Sequence, residues 1–120
     1  LGIDNLPPIS CLPNWYIKRL RGDIDLFVTF ISFQEMEPDI VENYANQVIQ
    51  LRPTYVLLRN LREGKQVSKN GSLGVKRPIL KNDYISYFKG YTLVGSNVCP
   101  FGYETVDGFH SELLVLQKNG

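Results

Sequence analysis

Apolar residues gather in a few runs along this chain, and their spacing changes from run to run. Residues 25–33, Asp25-Leu26-Phe27-Val28-Thr29-Phe30-Ile31-Ser32-Phe33, form a nearly continuous β-branched and aromatic stretch. Runs of this kind belong to strands buried on both faces, so the segment predicts a central parallel strand. After it, Ile40, Val41, Tyr44, Ala45, Val48 and Ile49 recur at i, i+4 spacing and make one apolar stripe on a helix. Pro38 suits a first helical position, and the acids Glu37 and Asp39 suit the positive end of the helix dipole. The helix should end near Arg52-Pro53, and residues 55–60 read as a second apolar strand. The unit is strand, helix, strand, with a right-handed crossover. Two more strands, residues 91–97 and 112–117, are separated by Pro100-Phe101-Gly102 and Val106-Asp107-Gly108. They predict an antiparallel hairpin that closes the sheet.

The segments between these runs are polar or broken by proline. Pro7, Pro8 and Pro13 forbid a regular helix over residues 4–14. Asn14 is placed to cap a short helix through Trp15, Ile17 and Leu20, ended near Gly22. Residues 61–78, with Gly64, Gly71 and Gly74, show neither period and predict a long loop of the kind that carries function. Asn82 is placed to cap a second short helix over Tyr84, Ile85, Tyr87 and Phe88, stopped by Gly90. No internal repeat, low-complexity tract or interdomain linker interrupts the chain, so residues 1–120 read as a single α/β domain or fragment of one.

Composition narrows the partners. A hydrophobic content of 43% in 120 residues is enough to bury one modest core. A formal net charge of +1 projects no field toward nucleic acid or an anionic membrane. Cys11 and Cys99 lie in no metal-ligand or redox spacing, and predict two reduced, mostly buried thiols of a reducing compartment. The longest apolar run is far short of the ~20 residues that span a bilayer, and nothing at the start reads as a signal peptide. These features predict a soluble, cytoplasmic protein. The opening Leu1-Gly2-Ile3-Asp4, without an initiator Met, predicts a piece of a longer gene product.

Particular residues add a resemblance. The strand running into Ser32-Phe33-Gln34-Glu35-Met36, followed by Val41-Glu42-Asn43-Tyr44, resembles a segment of class I, S-adenosylmethionine-dependent sugar O-methyltransferases. Arg59-Asn60, Arg62-Glu63-Gly64-Lys65, Pro78-Ile79 and residues 97–102 are similar to later parts of that pattern, and the likeness covers most of the chain from Trp15 onward. It implies the carboxyl-terminal half of the domain: a partial Rossmann-like sheet, mostly parallel with a reversed final strand, and helices on its faces. The family holds adenosylmethionine on a glycine-rich turn after its first strand and holds the ribose with an acid after its second. Neither element is present. Gly71-Ser72-Leu73-Gly74 lies in a polar loop without the strand and helix that such a turn requires, and predicts a flexible turn. The 120 residues are therefore not expected to bind S-adenosylmethionine tightly, and no metal site is expected.

Ligands of open α/β sheets bind beyond the carboxyl ends of the strands, here at residues 32–36 and 60–65. Ser32 and Gln34 are candidates for hydrogen bonds to cofactor or sugar. Glu35 is a candidate catalytic group that orients a hydroxyl or accepts its proton; alternatively, Ser32 and Glu35 cap the following helix. Asn60, with Arg59 beside it, and Arg62, with Glu63 and Lys65, are candidates for sugar hydroxyls, unless these charges form a solvated loop. His110, the single imidazole, titrates in the range that general-base chemistry needs and is the second catalytic candidate. Trp15, Tyr16, Tyr84, Tyr87 and Tyr91 can stack on a sugar, but their spacing favours core positions.

The expected function is thus the carboxyl-terminal part of a methyltransferase acting on a sugar hydroxyl, inactive alone. The competing expectation is a non-enzymatic α/β interaction module that self-associates or binds a protein partner through exposed strand edges. A homo-oligomer is expected on either reading. A nucleotide-binding or redox domain is disfavoured by the lack of a P-loop and of a CxxC pair.

Overall fold

A computed structural model describes residues 1–98 and 109–120. Strand β1 (Leu26–Phe30) runs parallel to β2 (Tyr55–Leu61), with Val28 opposite Leu57, and helix α1 (Pro38–Gln50) connects them. Pro38 does open α1, and Val41, Ala45 and Val48 form its buried stripe. Helix α2 (Lys81–Tyr87) precedes β3 (Tyr91–Val98), and β4 (Ser111–Lys118) completes a mixed four-stranded sheet of order β1-β2-β4-β3. β4 is antiparallel to both its neighbours. β3 therefore points the same way as β1 and β2, and the reversed last strand is inserted between strands of common direction. Three short 3-10 turns, Ile3–Asn5, Asn14–Arg19 and Phe33–Glu35, complete the described secondary structure.

One face of the sheet carries the core. Val56 and Leu58 of β2 stand opposite Leu116 and Leu114 of β4, and all four are buried. The α1 stripe packs on them with Tyr84 and Tyr87 of α2 and with Ile79 and Phe88 beside it. The Tyr91 hydroxyl donates to the Pro53 carbonyl at 2.6 Å and ties the start of β3 to the start of β2. Both helices contribute to this single core, so the expected covering of both faces is realised on one. The opposite face remains open: Leu26, Val28 and Phe30 are 50%, 45% and 47% exposed, and Tyr55 beside them is 41% exposed.

Several expectations need correction. β1 is an edge strand of this sheet rather than a central one, because no segment of the described chain pairs with its outer side. It also ends at Phe30, not residue 33: Ile31 takes a left-handed φ of 69°, which breaks the extended run and leads into the Phe33–Glu35 turn. A β-branched residue rarely adopts that conformation, and such strain concentrates at functional turns. Asn14 begins a 3-10 turn rather than capping an α-helix, and its amide donates to the Tyr44 hydroxyl at 2.7 Å. Asn82 lies inside α2; the start of that helix is fixed by Asp83, whose carboxylate accepts the Leu80 N–H at 2.9 Å. Cys11 is exposed in the proline-rich segment rather than buried, while Cys99 and the turns expected at 100–102 and 106–108 lie outside the described residues. No helix among the described residues is long and apolar enough to cross a membrane.

Between the amino-terminal segment and the α1 flank of β1 lies a cavity of about 460 Å3, lined by apolar side chains including Ile17, Phe27, Phe33, Met36 and Leu51. Asn14 and Tyr44, hydrogen-bonded to one another, are its polar groups.

Candidate functional site

The two turns expected at the strand ends are joined by a single buried side chain. Gln34 is 4% exposed, and its Oε1 accepts the Leu61 N–H at 2.7 Å, bonding the turn after β1 to the last residue of β2. Its Nε2 donates to Glu35 Oε1 at 3.3 Å. Glu35 also pairs with Lys65 Nζ at 3.0 Å, so a second tie crosses the same gap. Gln34 is thereby committed to holding the turns together, while Glu35, whose side chain is 47% exposed, keeps a solvent-facing carboxylate. Ser32 is exposed; its hydroxyl stands 3.4 Å from the Phe30 carbonyl and makes no capping bond to the helix that follows. The cap of α1 is Glu37, whose carboxylate accepts the N–H groups of Lys76 and Arg77 and anchors the end of the long loop.

Asn60 is 4% exposed and stands opposite Glu112 of β4, also 4% exposed. Glu112 Oε1 accepts Lys81 Nζ at 2.8 Å, and its Oε2 lies 3.8 Å from Arg62 Nε. Around them is a cavity of about 10 Å3 lined also by Leu61, Tyr84 and Leu114. Burial pushes the Tyr84 hydroxyl strongly up, with the nearby Tyr87 and Asp83 adding to the effect, so it stays protonated. Asn60 and Arg62, both expected at the site, thus converge at its lining.

His110 lies at the same end of the sheet, because β4 is reversed and begins where β2 ends. Its ring Nδ1 is 2.6 Å from Glu63 Oε1, its N–H donates to Glu63 Oε2 at 2.8 Å, and its carbonyl accepts the Arg62 N–H at 2.7 Å. Desolvation, the largest single influence, pushes the Glu63 carboxyl up. Hydrogen bonds from the His110 backbone and ring, its own backbone N–H and the His110 charge together outweigh this and hold it below the usual range. The reversed strand thus joins His110 to the second turn.

The charged loop is bonded rather than freely solvated at Glu63 and Lys65. Arg59 turns to Ser111, its Nε donating to the hydroxyl at 2.8 Å. Tyr84, Tyr87 and Tyr91 are core residues as expected, whereas Trp15 is 52% exposed, with the Arg19 guanidinium 5.5 Å over its ring. The Gly71–Gly74 region closes on itself: Ser68 Oγ donates to the Ser72 carbonyl, Ser72 N–H to the Lys69 carbonyl, and Gln66 Nε2 to the Leu73 carbonyl. Among the described residues, no strand runs directly into Gly71–Gly74 and no helix opens directly after it, so the segment lacks the strand–turn–helix setting of a glycine-rich cofactor loop.

Sequence reasoning missed Glu112 and Lys81 as members of the site, and weighed Tyr84 only as a stacking or core residue. The signal for Glu112 was legible: it stands in phase with Leu114 and Leu116, a carboxylate at an inward position of a core strand. Comparison with protein-family models and with curated proteins gives no significant match.

Proposed function

We propose that this chain is the acceptor-side half of an S-adenosylmethionine-dependent methyltransferase that acts on a sugar hydroxyl. The observation that carries the proposal is the strand order β1-β2-β4-β3, with a reversed final strand inserted between strands that share a direction. A reversed final strand is what the resemblance to the second half of the class I sheet implies, although the sheet expected to be mostly parallel has one parallel pair, β1 with β2, among the described strands. The open face and outer edge of β1 support it further, since sheets with parallel strands are ordinarily covered on both faces. The apolar cavity beside β1 and α1 offers the space against which a preceding strand and helix would pack.

On this reading the chain supplies the groups that bind and orient the acceptor. Glu35 presents a carboxylate to a sugar hydroxyl, Lys65 holds that carboxylate in place, and Gln34 fixes the distance between the turns. His110, held by Glu63, is the second proton acceptor at the same end of the sheet. Adenosylmethionine is held by residues outside the 120, so the isolated chain binds it weakly or not at all.

The test is to express the chain together with the segment encoded before Leu1 and measure transfer of labelled methyl groups from adenosylmethionine to free and nucleotide-linked sugars. Label in a sugar ether supports the proposal. An upstream segment without a strand and glycine-rich turn, or no transfer to any sugar, overturns it. The exposed β1 edge also favours a second reading, a non-enzymatic module that pairs with another chain, and that same absence would leave it standing.

A further inference from the structure

The cavity between β2, β4 and the start of α2 contains more hydrogen-bonding capacity than the protein itself uses. Among the described residues, Asn60 Oδ1, Asn60 Nδ2, the Tyr84 hydroxyl and Glu112 Oε2 are buried without a hydrogen-bond partner. Buried polar groups are almost always paired, so four such atoms around one space require an explanation. The space itself, about 10 Å3, takes one oxygen-sized group and excludes a phosphate or a whole ring.

We infer that this cavity is a subsite for one hydroxyl of a neutral sugar, with the rest of the ring lying outward over Lys81 and Arg62. The sugar assignment rests on the acceptor reading given above, whereas the preference for a hydroxyl rests on the atoms themselves. A hydroxyl donates once and accepts twice. Its proton goes to Glu112 Oε2, and its oxygen accepts from Asn60 Nδ2 and the Tyr84 O–H. Asn60 Oδ1 is a second acceptor for that same proton, so the set accommodates one hydroxyl in either orientation. A cation is disfavoured because Lys81, 2.8 Å away, and Arg62, 3.8 Å away, already face the Glu112 carboxylate. An anion is disfavoured by that carboxylate. At the mouth, the Arg62 side chain is 56% exposed and Lys81 is 35% exposed, leaving donors for further ring oxygens.

The experiment is a titration of 15N-labelled residues 1–120 with D-glucose, D-mannose, L-fucose and L-rhamnose, following the side-chain NH2 pair of Asn60. A saturable shift with at least one sugar is expected. Tyr84→Phe, which removes only the hydroxyl, should weaken that binding about tenfold, the effect of losing one buried hydrogen bond. Asn60→Leu should abolish it while the melting temperature holds or rises, because two unpartnered polar atoms leave the core. An Asn60 pair that responds to none of the sugars, with only a resident water detected beside it, overturns the subsite. So does sugar binding that shifts Gln34 and Glu35 but leaves Asn60 untouched, and that result leaves the methyltransferase reading intact. Sugar binding at Asn60 without methyl transfer by the extended protein sustains the subsite and removes the methyltransferase.

Discussion

Gln34 Oε1 accepts the Leu61 N–H at 2.7 Å, so a side chain just past the end of β1 completes the backbone bonding at the end of β2. The relation ties the two turns through one buried amide, beside the exposed Glu35–Lys65 pair, rather than through loop length alone. Its removal leaves a partly buried N–H without an acceptor. Gln34→Ala should therefore lower unfolding stability by about 1 to 3 kcal/mol. Gln34→Met, which keeps the length of the side chain but not the acceptor, should lose nearly as much. Urea denaturation of the two variants is the check, and recovery of stability in Gln34→Met would mean that packing, not the hydrogen bond, gives Gln34 its effect.

Glu35 should behave in the opposite way. Its bond to Lys65 is solvent-exposed, and such pairs contribute roughly 0 to 1 kcal/mol. In the protein extended upstream of Leu1, Glu35→Gln should reduce methyl transfer well beyond any change in melting temperature. Turnover and melts measured on the same preparations decide the matter. Parental turnover in the variant would reduce Glu35 to a loop-tethering residue.

A pH-dependent tie follows from Glu63. Its carboxyl is held below the usual range in the folded chain, so its contribution is fully present above the unfolded-state value and is lost as pH falls through the lowered folded-state value. Acidification should therefore release the His110 N–H from Glu63 while the core sheet persists. The protection of the His110 amide, referenced to the intrinsic exchange rate at each pH, should fall in acid, and Glu63→Ala, which removes the acceptor, should show reduced protection already at neutral pH. Unchanged protection in that variant would show that the Glu63 carboxylate is not what protects the His110 amide.

Much of this architecture was legible because it rests on local periodicity: the α1 stripe, the opening Pro38 and both parallel strands follow from spacing alone. The outer end of β1 was not legible, since Ile31 carries strand chemistry yet takes a left-handed φ, a departure set by the turn it must enter. The polar cavity depends on register, which brings Asn60 opposite Glu112 across residues 52 positions apart in the chain. Sequence spacing carries no trace of that juxtaposition. The single-sided packing of the helices is likewise a tertiary outcome, as an amphipathic stripe fixes which side of a helix is buried but not which side of the sheet receives it.

The exposed edge of β1 yields the last prediction. Its five residues, Leu26-Phe27-Val28-Thr29-Phe30, include no Lys, Pro or Gly of the kind that blunts edge strands. Three of their side chains, Leu26, Val28 and Phe30, remain about half exposed on the open face, next to exposed Tyr55. Unpaired backbone groups and apolar surface thus coincide along one strand, and pairing with a second copy satisfies both. About a two-fold axis through Val28, an antiparallel pairing would set Leu26 opposite Phe30 of the other chain and place no charged side chain within the paired stretch. Purified residues 1–120 should accordingly dimerise, with Val28→Lys weakening association and costing little fold stability, because Val28 is already 45% exposed. Light scattering across a concentration series measures the first effect and thermal melts the second. A monomer at high micromolar concentration would show that the edge is protected in the chain itself, and would remove the open sheet as support for a missing neighbour.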